Sequence, residues 1–183
     1  MRTLVEFEAE IDGIRAAPSD NGVVSLIVRR PVVDEREVVR EARLDVNDGV
    51  VGDTWRARGS SSTPDGSSDL QAQLTLMSAR AAAAIAGDVA RWPLAGDQVY
   101  VDFDISTEHL PPGTRLALGD AEIQVSAKPH TGCSKFAARF GADALRFVST
   151  PEGRGLRLRG MNARVIKSGT VRVGDPISVR PVS

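Results

Sequence analysis

The sequence has very few cysteines, histidines and lysines. Among its 183 residues there is one cysteine, Cys133, and there are two histidines, His109 and His130. A single cysteine cannot form an intramolecular disulfide, which is consistent with a reducing compartment. So few soft ligands also exclude a zinc ribbon or another cysteine-rich metal site. We therefore expect a cytoplasmic protein without a structural zinc site.

Long apolar runs and an excess of one charge are also missing. No window approaches the roughly 18 uninterrupted apolar residues of a membrane span. Residues 1–12 carry four acidic side chains and lack the apolar run of a signal peptide. Lysine and arginine total 23 against 24 aspartates and glutamates, so the net charge is -1. No broad basic surface is implied, and we expect neither a nucleic acid nor a membrane as a partner.

The scarce residue types are concentrated between residues 128 and 140. This stretch, KPHTGCSKFAARF, contains Cys133, His130 and two of the three lysines, Lys128 and Lys135. A thiol, an imidazole and several cations near one another in sequence are the groups from which a reactive site can be built. The stretch is therefore the first candidate for the functional site.

Cys133 is predicted to lie at or just before the N-terminus of a helix. Gly132 and the proline three residues earlier end a strand-like run, whereas Phe136 and Phe140 have the spacing of one helix face. Backbone N–H groups at the start of a helix favour a thiolate over a thiol, and Arg139 and the two lysines would act in the same direction.

Other interpretations of these residues stay open. A lone cysteine is often a small buried hydrophobic residue, and a lone histidine in a turn is often a surface residue. A hydrolase with Cys133 as nucleophile and His130 or His109 as base is less favoured. His130 lies three residues away in the same turn, and no third orienting residue is evident. Exposure of the Cys133 thiol would distinguish a reactive residue from a packing residue.

Local patterns predict several elements in the first half of the chain. Helical spacing predicts a helix over residues 3–17, and β-branched composition predicts a strand over residues 22–30. An alanine-rich run predicts a helix over residues 78–86 with its serine as the N-cap. Residues 34–45 are compatible with a helix or a strand, and the Gly/Ser-rich residues 56–69 predict a mobile loop.

The second half of the chain has clearer strand signals. Residues 98–105 alternate between apolar and polar types and predict a half-buried strand, whereas residues 114–118 and 121–127 flank a Gly-Asp turn and predict a hairpin. A short helix is predicted over residues 141–148. Further strand-like segments cover residues 156–168, 169–173 and 177–180. The sum predicts a mainly β fold, a barrel-like sheet in one domain with a few peripheral helices.

Five segments, taken in order, resemble the MOSC domain, which occurs at the C-terminus of molybdenum cofactor sulfurases and in small stand-alone bacterial proteins. The matching segments are GVVGD (49–53), QLTLM (73–77), GTRLALGDAEIQVS (113–126), GCSK (132–135) and ARVIKSGTVRVGDPI (163–177). The resemblance implies a single MOSC domain over residues 1–183 with a β-barrel core. Residues 49–177 carry the likeness, and residues 1–48 would extend the barrel with an N-terminal helix and strands.

The resemblance implies a function centred on Cys133. In this family the corresponding cysteine is linked with carrying sulfur to the molybdenum cofactor or, in amidoxime-reducing relatives, with coordinating molybdenum. A thiolate suits both roles because it is both a nucleophile and a soft metal ligand. Reduction of N-hydroxylated compounds is the implied enzymatic activity, with a separate sulfur or electron donor protein as partner. The alternative is a non-enzymatic accessory barrel in which Cys133 is structural.

The resemblance also suggests the residues that would hold the molybdenum cofactor. Cys133 would be the reactive thiolate and the metal ligand, and His130 would donate a hydrogen bond to the sulfur or to a substrate. The pterin part of the cofactor carries a phosphate, which suggests anion partners among the basic residues. The candidate cofactor-binding residues are Lys128, Lys135, Arg139, Arg164 and Asp53, the last of which would orient a loop or a pterin amine.

Overall fold

The computed structural model describes residues 1–182. Its helices are α1 (Leu4–Glu8), α2 (Ile11–Arg15), α3 (Trp55–Arg58), α4 (Ala79–Ala86), α5 (Ser134–Phe140), α6 (Ala142–Ser149) and α7 (Pro151–Gly155). Its strands are β1 (Gly22–Arg29), β2 (Glu37–Val39), β3 (Glu41–Asp45), β4 (Gly49–Val50), β5 (Leu74–Ser78), β6 (Val99–Asp102), β7 (Arg115–Leu118), β8 (Ala121–Val125), β9 (Met161–Lys167), β10 (Gly169–Arg172) and β11 (Pro176–Val179). Within this part of the chain, no helix combines the length and apolar character needed to cross a membrane.

Seven strands close into a barrel in the order β1-β11-β7-β8-β9-β5-β6, with β6 returning to β1. All of these neighbours are antiparallel except β5 and β6, which are parallel. A parallel pair needs a long crossover, and here α4 and the 3-10 helix Val89–Ala95 supply it. Strand β2 extends the sheet beyond β1, and β3, β4 and β10 form a separate small sheet. The predicted mainly β, barrel-like fold is confirmed.

Apolar side chains fill the barrel and also cover one outer face of it. Val99 and Val101 of β6 point into an interior cluster, as the alternation predicts. Tyr100, on the opposite face, belongs to a second cluster with residues of α4 and α6, and its hydroxyl donates to Trp92 O at 2.6 Å. The prediction of a half-buried strand was therefore wrong at Tyr100, because helices cover the face that alternation assigns to solvent.

The predicted cap of α4 agrees with the structure, the predicted N-terminal helix is divided in two, and the ambiguous residues 34–45 form strands. Ser78 caps α4 by accepting a hydrogen bond from Ala81 N. The N-terminal helix is divided into α1 and α2, since Glu10 N donates to Phe7 O in a 3-10 manner that interrupts the α-helical pattern. The ambiguous residues 34–45 contain strands β2 and β3.

Candidate functional site

Cys133 lies where the chain leaves the barrel and enters α5. It is the N-cap residue, with an extended backbone (φ -136, ψ 177), and its carbonyl accepts from Ala137 N at 3.0 Å. Asn162 of β9 anchors the preceding loop by donating to Lys128 O and Pro129 O at 3.2 and 3.3 Å. The predicted helix-start position is confirmed, and Cys133 is exposed rather than packed in a core.

Cys133 lines a cavity of about 300 Å³ on the outside of the barrel. The wall is strongly cationic, because six basic side chains line it and, within residues 1–182, Asp34 is the lining residue with a carboxylate. The six basic residues are Arg30, Arg36, Arg58, Lys135, Arg139 and Arg159. A concave surface with this charge distribution attracts anions.

A buried carboxylate fixes the first of these arginines. Asp53 has no exposed side-chain surface. Its oxygens accept from Arg30 Nε at 2.9 Å and from Arg30 Nη2 at 2.8 Å. They also accept from the backbone N–H groups of Arg30 and Trp55 at 2.8 and 3.0 Å. Burial raises the pKa of Asp53, but hydrogen bonds and the charge of Arg30 outweigh it, so the pKa lies below its ordinary value.

A second buried carboxylate joins an arginine and the candidate histidine. Asp97 Oδ2 accepts from Arg159 Nη1 at 2.5 Å, and Asp97 Oδ1 lies 2.9 Å from His130 Nε2. Arg159 also donates to Ala95 O at 2.8 Å, and its guanidinium lies over the ring of Phe136. Burial raises the pKa of Asp97, but the charge of Arg159 and the hydrogen bonds from Arg159 and His130 lower it by more, so the net shift is downward.

The basic side chains of the cavity are only partly neutralised. Burial lowers the pKa of Arg36, and the charges of Arg139 and Arg30 lower it further. The Nε atoms of Arg36 and Arg159 are buried and have no hydrogen-bond partner among the described residues. A buried N–H without a partner is costly, and like charges held together repel. Both features would be relieved by an anionic ligand in the cavity.

The structure brings together four of the seven residues proposed from the sequence. Cys133, His130, Lys135 and Arg139 line the cavity. Lys135 is highly exposed, and Arg139 Nη1 donates to Leu94 O at 2.7 Å. Asp53 is behind Arg30 and acts on the wall indirectly.

Two proposed residues lie elsewhere. Lys128 does not line the cavity, because its amine pairs with Asp69 at 2.6 Å and donates to Ser62 Oγ at 3.0 Å. Arg164 lies opposite Gln124 in the β8–β9 pairing and is also outside the cavity. Lys128 was proposed because it is close to Cys133 in sequence, and Arg164 because it is positively charged. Neither property determines the direction of a side chain.

Sequence reasoning missed four arginines of the cavity wall. They are Arg30, Arg36, Arg58 and Arg159. They come from three distant parts of the chain, so no local motif unites them. The available signal was that each lies within two residues of an end of a strand or helix, where binding residues tend to collect.

The chain matches a known domain family over more than half of its length. A family model for the MOSC domain matches residues 64–178. The chain belongs to the MOSC domain family. A comparison with curated proteins found no significant match for this MOSC protein.

Solved structures support the same fold. The MOSC chain is similar to the YuaD protein from Bacillus subtilis, with 14% identity and a TM-score of 0.67 over 89% of this chain and 97% of that one. It is also similar to YiiM from Escherichia coli, with 17% identity and a TM-score of 0.57 over 88% and 71% of the two chains. YiiM from Geobacillus stearothermophilus gives 13% identity and a TM-score of 0.54 over 87% and 73%. At these identities the likeness shows the fold alone.

The donor set fits the group that MOSC domains are associated with, the molybdenum cofactor. That cofactor combines a soft metal centre with an anionic phosphate. The cavity offers an exposed thiol together with a cluster of arginines, two of which have a buried N–H that finds no partner within residues 1–182. Thiolates suit soft metal centres, and arginine forks suit phosphate oxygens.

Proposed function

We propose that this MOSC protein binds the molybdenum cofactor in the cavity beside Cys133. The observation that carries the proposal is that the one thiol of the chain is exposed in the wall of a cavity lined by six cations. A pterin phosphate would be held by arginines such as Arg36 and Arg159, whose Nε atoms have no partner among the described residues. Cys133 would contact the metal end of the cofactor, either as a ligand or as a sulfur carrier.

The exposure of Cys133 favours a chemical role over a packing role. A structural cysteine in an accessory barrel would be buried among apolar side chains. In this protein the cysteine lies outside the apolar core, at the N-cap of α5 and next to the basic wall. The exposed thiol therefore supports the reactive interpretation over a non-enzymatic barrel.

Two reactions are compatible with a thiol in this position. As a sulfur carrier, the Cys133 thiolate would attack the outer sulfur of a persulfide on a separate donor protein. The donor cysteine would leave as a thiolate, and Cys133 would hold the transferred sulfur as its own persulfide. As a metal ligand, it would support reduction of an N-hydroxylated compound. That reaction consumes two electrons and two protons, breaks the N–O bond and releases water. The molybdenum centre would supply the two-electron chemistry, and the electrons would come from a separate donor protein.

Metal and pterin analysis tests the proposal. The protein would be purified from a host that makes molybdenum cofactor, with Cys133→Ala alongside and Ser134→Ala as the matched control, since Ser134 is the exposed neighbour outside the cavity wall. We expect molybdenum and pterin near one per chain in the wild type and the control. In Cys133→Ala we expect a clear loss of molybdenum.

Two outcomes would count against cofactor ligation. Equal molybdenum content in wild type and Cys133→Ala would remove Cys133 as the metal ligand. If every preparation is free of molybdenum and pterin, cyanide treatment tests the sulfur-carrier role, since cyanide releases thiocyanate from a persulfide and leaves the thiol. Absence of thiocyanate after incubation with a sulfur donor would then also contradict that role.

A further inference from the structure

The buried carboxylate of Asp97 lies behind the cavity wall and is shared between Arg159 and His130. Asp97 has no exposed side-chain surface, and both of its oxygens are occupied, one by Arg159 at 2.5 Å and one by His130 Nε2 at 2.9 Å. A carboxylate beside a guanidinium at this distance is ionised, and an ionised carboxylate can only accept hydrogen bonds. The imidazole must therefore donate from Nε2.

The other ring nitrogen is left for the cavity. His130 is one-fifth exposed and lines the cavity, whereas its Nε2 edge is directed at the fully buried Asp97. Within residues 1–182, Nδ1 makes no hydrogen bond, and it is not among the buried atoms that lack a partner. In the neutral ring with its proton on Nε2, Nδ1 carries a lone pair.

We infer that Asp97 is a positioning residue that holds neutral His130 in the Nε2–H tautomer, so that Nδ1 accepts a hydrogen bond from an N–H or O–H group of the ligand beside Cys133. The same carboxylate positions Arg159, so one buried group orients an acceptor and an anion-binding donor on the same wall. The site is thereby matched to a ligand that has an anionic group and a hydrogen-bond donor. An N-hydroxyl group and a pterin amine are both donors of this kind.

This assignment reverses the role expected for His130 from the sequence. The family resemblance implies that His130 donates a hydrogen bond to the sulfur or to a substrate. With Nε2–H committed to Asp97, the neutral ring has no second proton to donate. The identity of the ligand rests on the proposed function, whereas the tautomer is a property of the free protein and is measured without any cofactor.

Nitrogen NMR of the two histidines tests the inference directly. The chain has only His109 and His130, and His130→Gln identifies which signals belong to His130. The spectrum would be recorded at pH 8, where an ordinary histidine is neutral. We expect the unprotonated, downfield signal at Nδ1 and the protonated one at Nε2. The Nδ1–H tautomer, or a ring protonated on both nitrogens, would overturn the inference.

The variant Asp97→Asn gives a second and opposite expectation. The amide oxygen remains the acceptor for Arg159, so the amide NH2 group turns toward His130 and requires a lone pair on Nε2. We expect the proton to move to Nδ1, as when an amide replaces the carboxylate behind a catalytic histidine. A His130 spectrum identical to the wild type would show that Asp97 does not set the tautomer.

A matched control separates positioning from loss of structure. Asp53→Asn makes the same change at the other buried carboxylate, which holds Arg30 and has no hydrogen bond to His130. Its His130 spectrum should match the wild type. If Asp97→Asn fails to fold, the wild-type tautomer alone decides. If molybdenum and pterin are absent from every preparation, the proposed function fails while the tautomer result still stands or falls independently.

Discussion

Asp53 and Asp97 are two buried carboxylates behind the cavity wall, and they use their oxygens differently. Asp53 accepts from Arg30 and from two backbone N–H groups, so it fixes an arginine and the shape of the loop after β4. Asp97 divides its two oxygens between Arg159 and an imidazole. Asp53 therefore stabilises local structure, whereas Asp97 also orients His130, which faces the cavity.

Removal of either carboxylate should have the largest effect on stability. In Asp53→Ala or Asp97→Ala an arginine that is about nine-tenths buried loses its partner, and such a loss typically costs about 3–5 kcal/mol. We expect a cost of this size for both variants in urea unfolding. Asp53→Ala should be at the upper end, because it also leaves the N–H groups of Arg30 and Trp55 without acceptors.

The exposed carboxylate of the same cavity provides the control. Asp34 is two-thirds exposed, and its nearest basic atoms are 3.8 and 3.9 Å away. Asp34 has a left-handed backbone (φ 65), which asparagine tolerates better than alanine does, so the control is Asp34→Asn. It should change the free energy of unfolding by no more than about 0.5 kcal/mol. If Asp97→Ala costs as little as Asp34→Asn, the buried Asp97 ion pairs do not stabilise that side of the cavity.

A glycine with positive φ lies next to each of the two buried ion pairs, Gly52 beside Asp53 and Gly160 beside Arg159. Gly160 has φ +107, and a Cβ there would lie 2.5 Å from Leu76 O and 3.1 Å from His130 Cδ2. Gly52 has φ +88, but its Cβ would meet only the flexible end of Arg29, at 3.0 Å from Cδ. Backbone oxygens cannot move aside as easily as an arginine side chain, so the two positions differ in tolerance.

We therefore expect Gly160→Ala to cost about 3 kcal/mol in unfolding free energy, since strain at positive φ and a backbone clash add together. Gly52→Ala should cost about 1 kcal/mol from strain alone. Only Gly160→Ala should also shift the NMR signals of His130. Equal costs in thermal or urea unfolding, with an unchanged His130 spectrum, would mean that the close approach at Gly160 does not constrain the imidazole.

The parts of this molecule that sequence could predict are those set by local signals. The β7–β8 hairpin follows from its Gly-Asp turn, α4 from its Ser78 cap, and the position of Cys133 from a Gly before a run with helical spacing. Each needs only a few consecutive residues. The fold class follows from the same signals summed along the chain.

The cavity wall could not be predicted in this way. Arg30, Arg58 and Arg159 meet only because barrel closure brings the ends of β1, α3 and the segment before β9 to one edge. Twenty arginines offer no local reason to select these three. Lys128 shows the opposite error, since its closeness to Cys133 in sequence predicted a role in the cavity while its amine pairs with Asp69.

The smallest effect we predict concerns Arg36, which pairs with no carboxylate within residues 1–182. Arg36 donates to Glu35 O, and its Nε has no partner among the described residues. Arg139 and Arg30 repel its charge, which lowers its pKa after the larger effect of burial. Arg36→Met keeps much of the side-chain volume and removes the charge. Without an anion, we expect this variant to be as stable as the wild type or more stable by up to about 1 kcal/mol.

With inorganic phosphate present, the wild type should become more stable than Arg36→Met. A ligand at tenfold its dissociation constant stabilises the folded protein by about 1.4 kcal/mol, and phosphate should do so for the wild type but not for Arg36→Met. The control is Arg43→Met, which removes an exposed arginine of β3 outside the cavity and should respond to phosphate like the wild type. Thermal unfolding across a phosphate series measures all three proteins. Equal stabilisation of Arg36→Met and wild type would show that Arg36 is not part of an anion site.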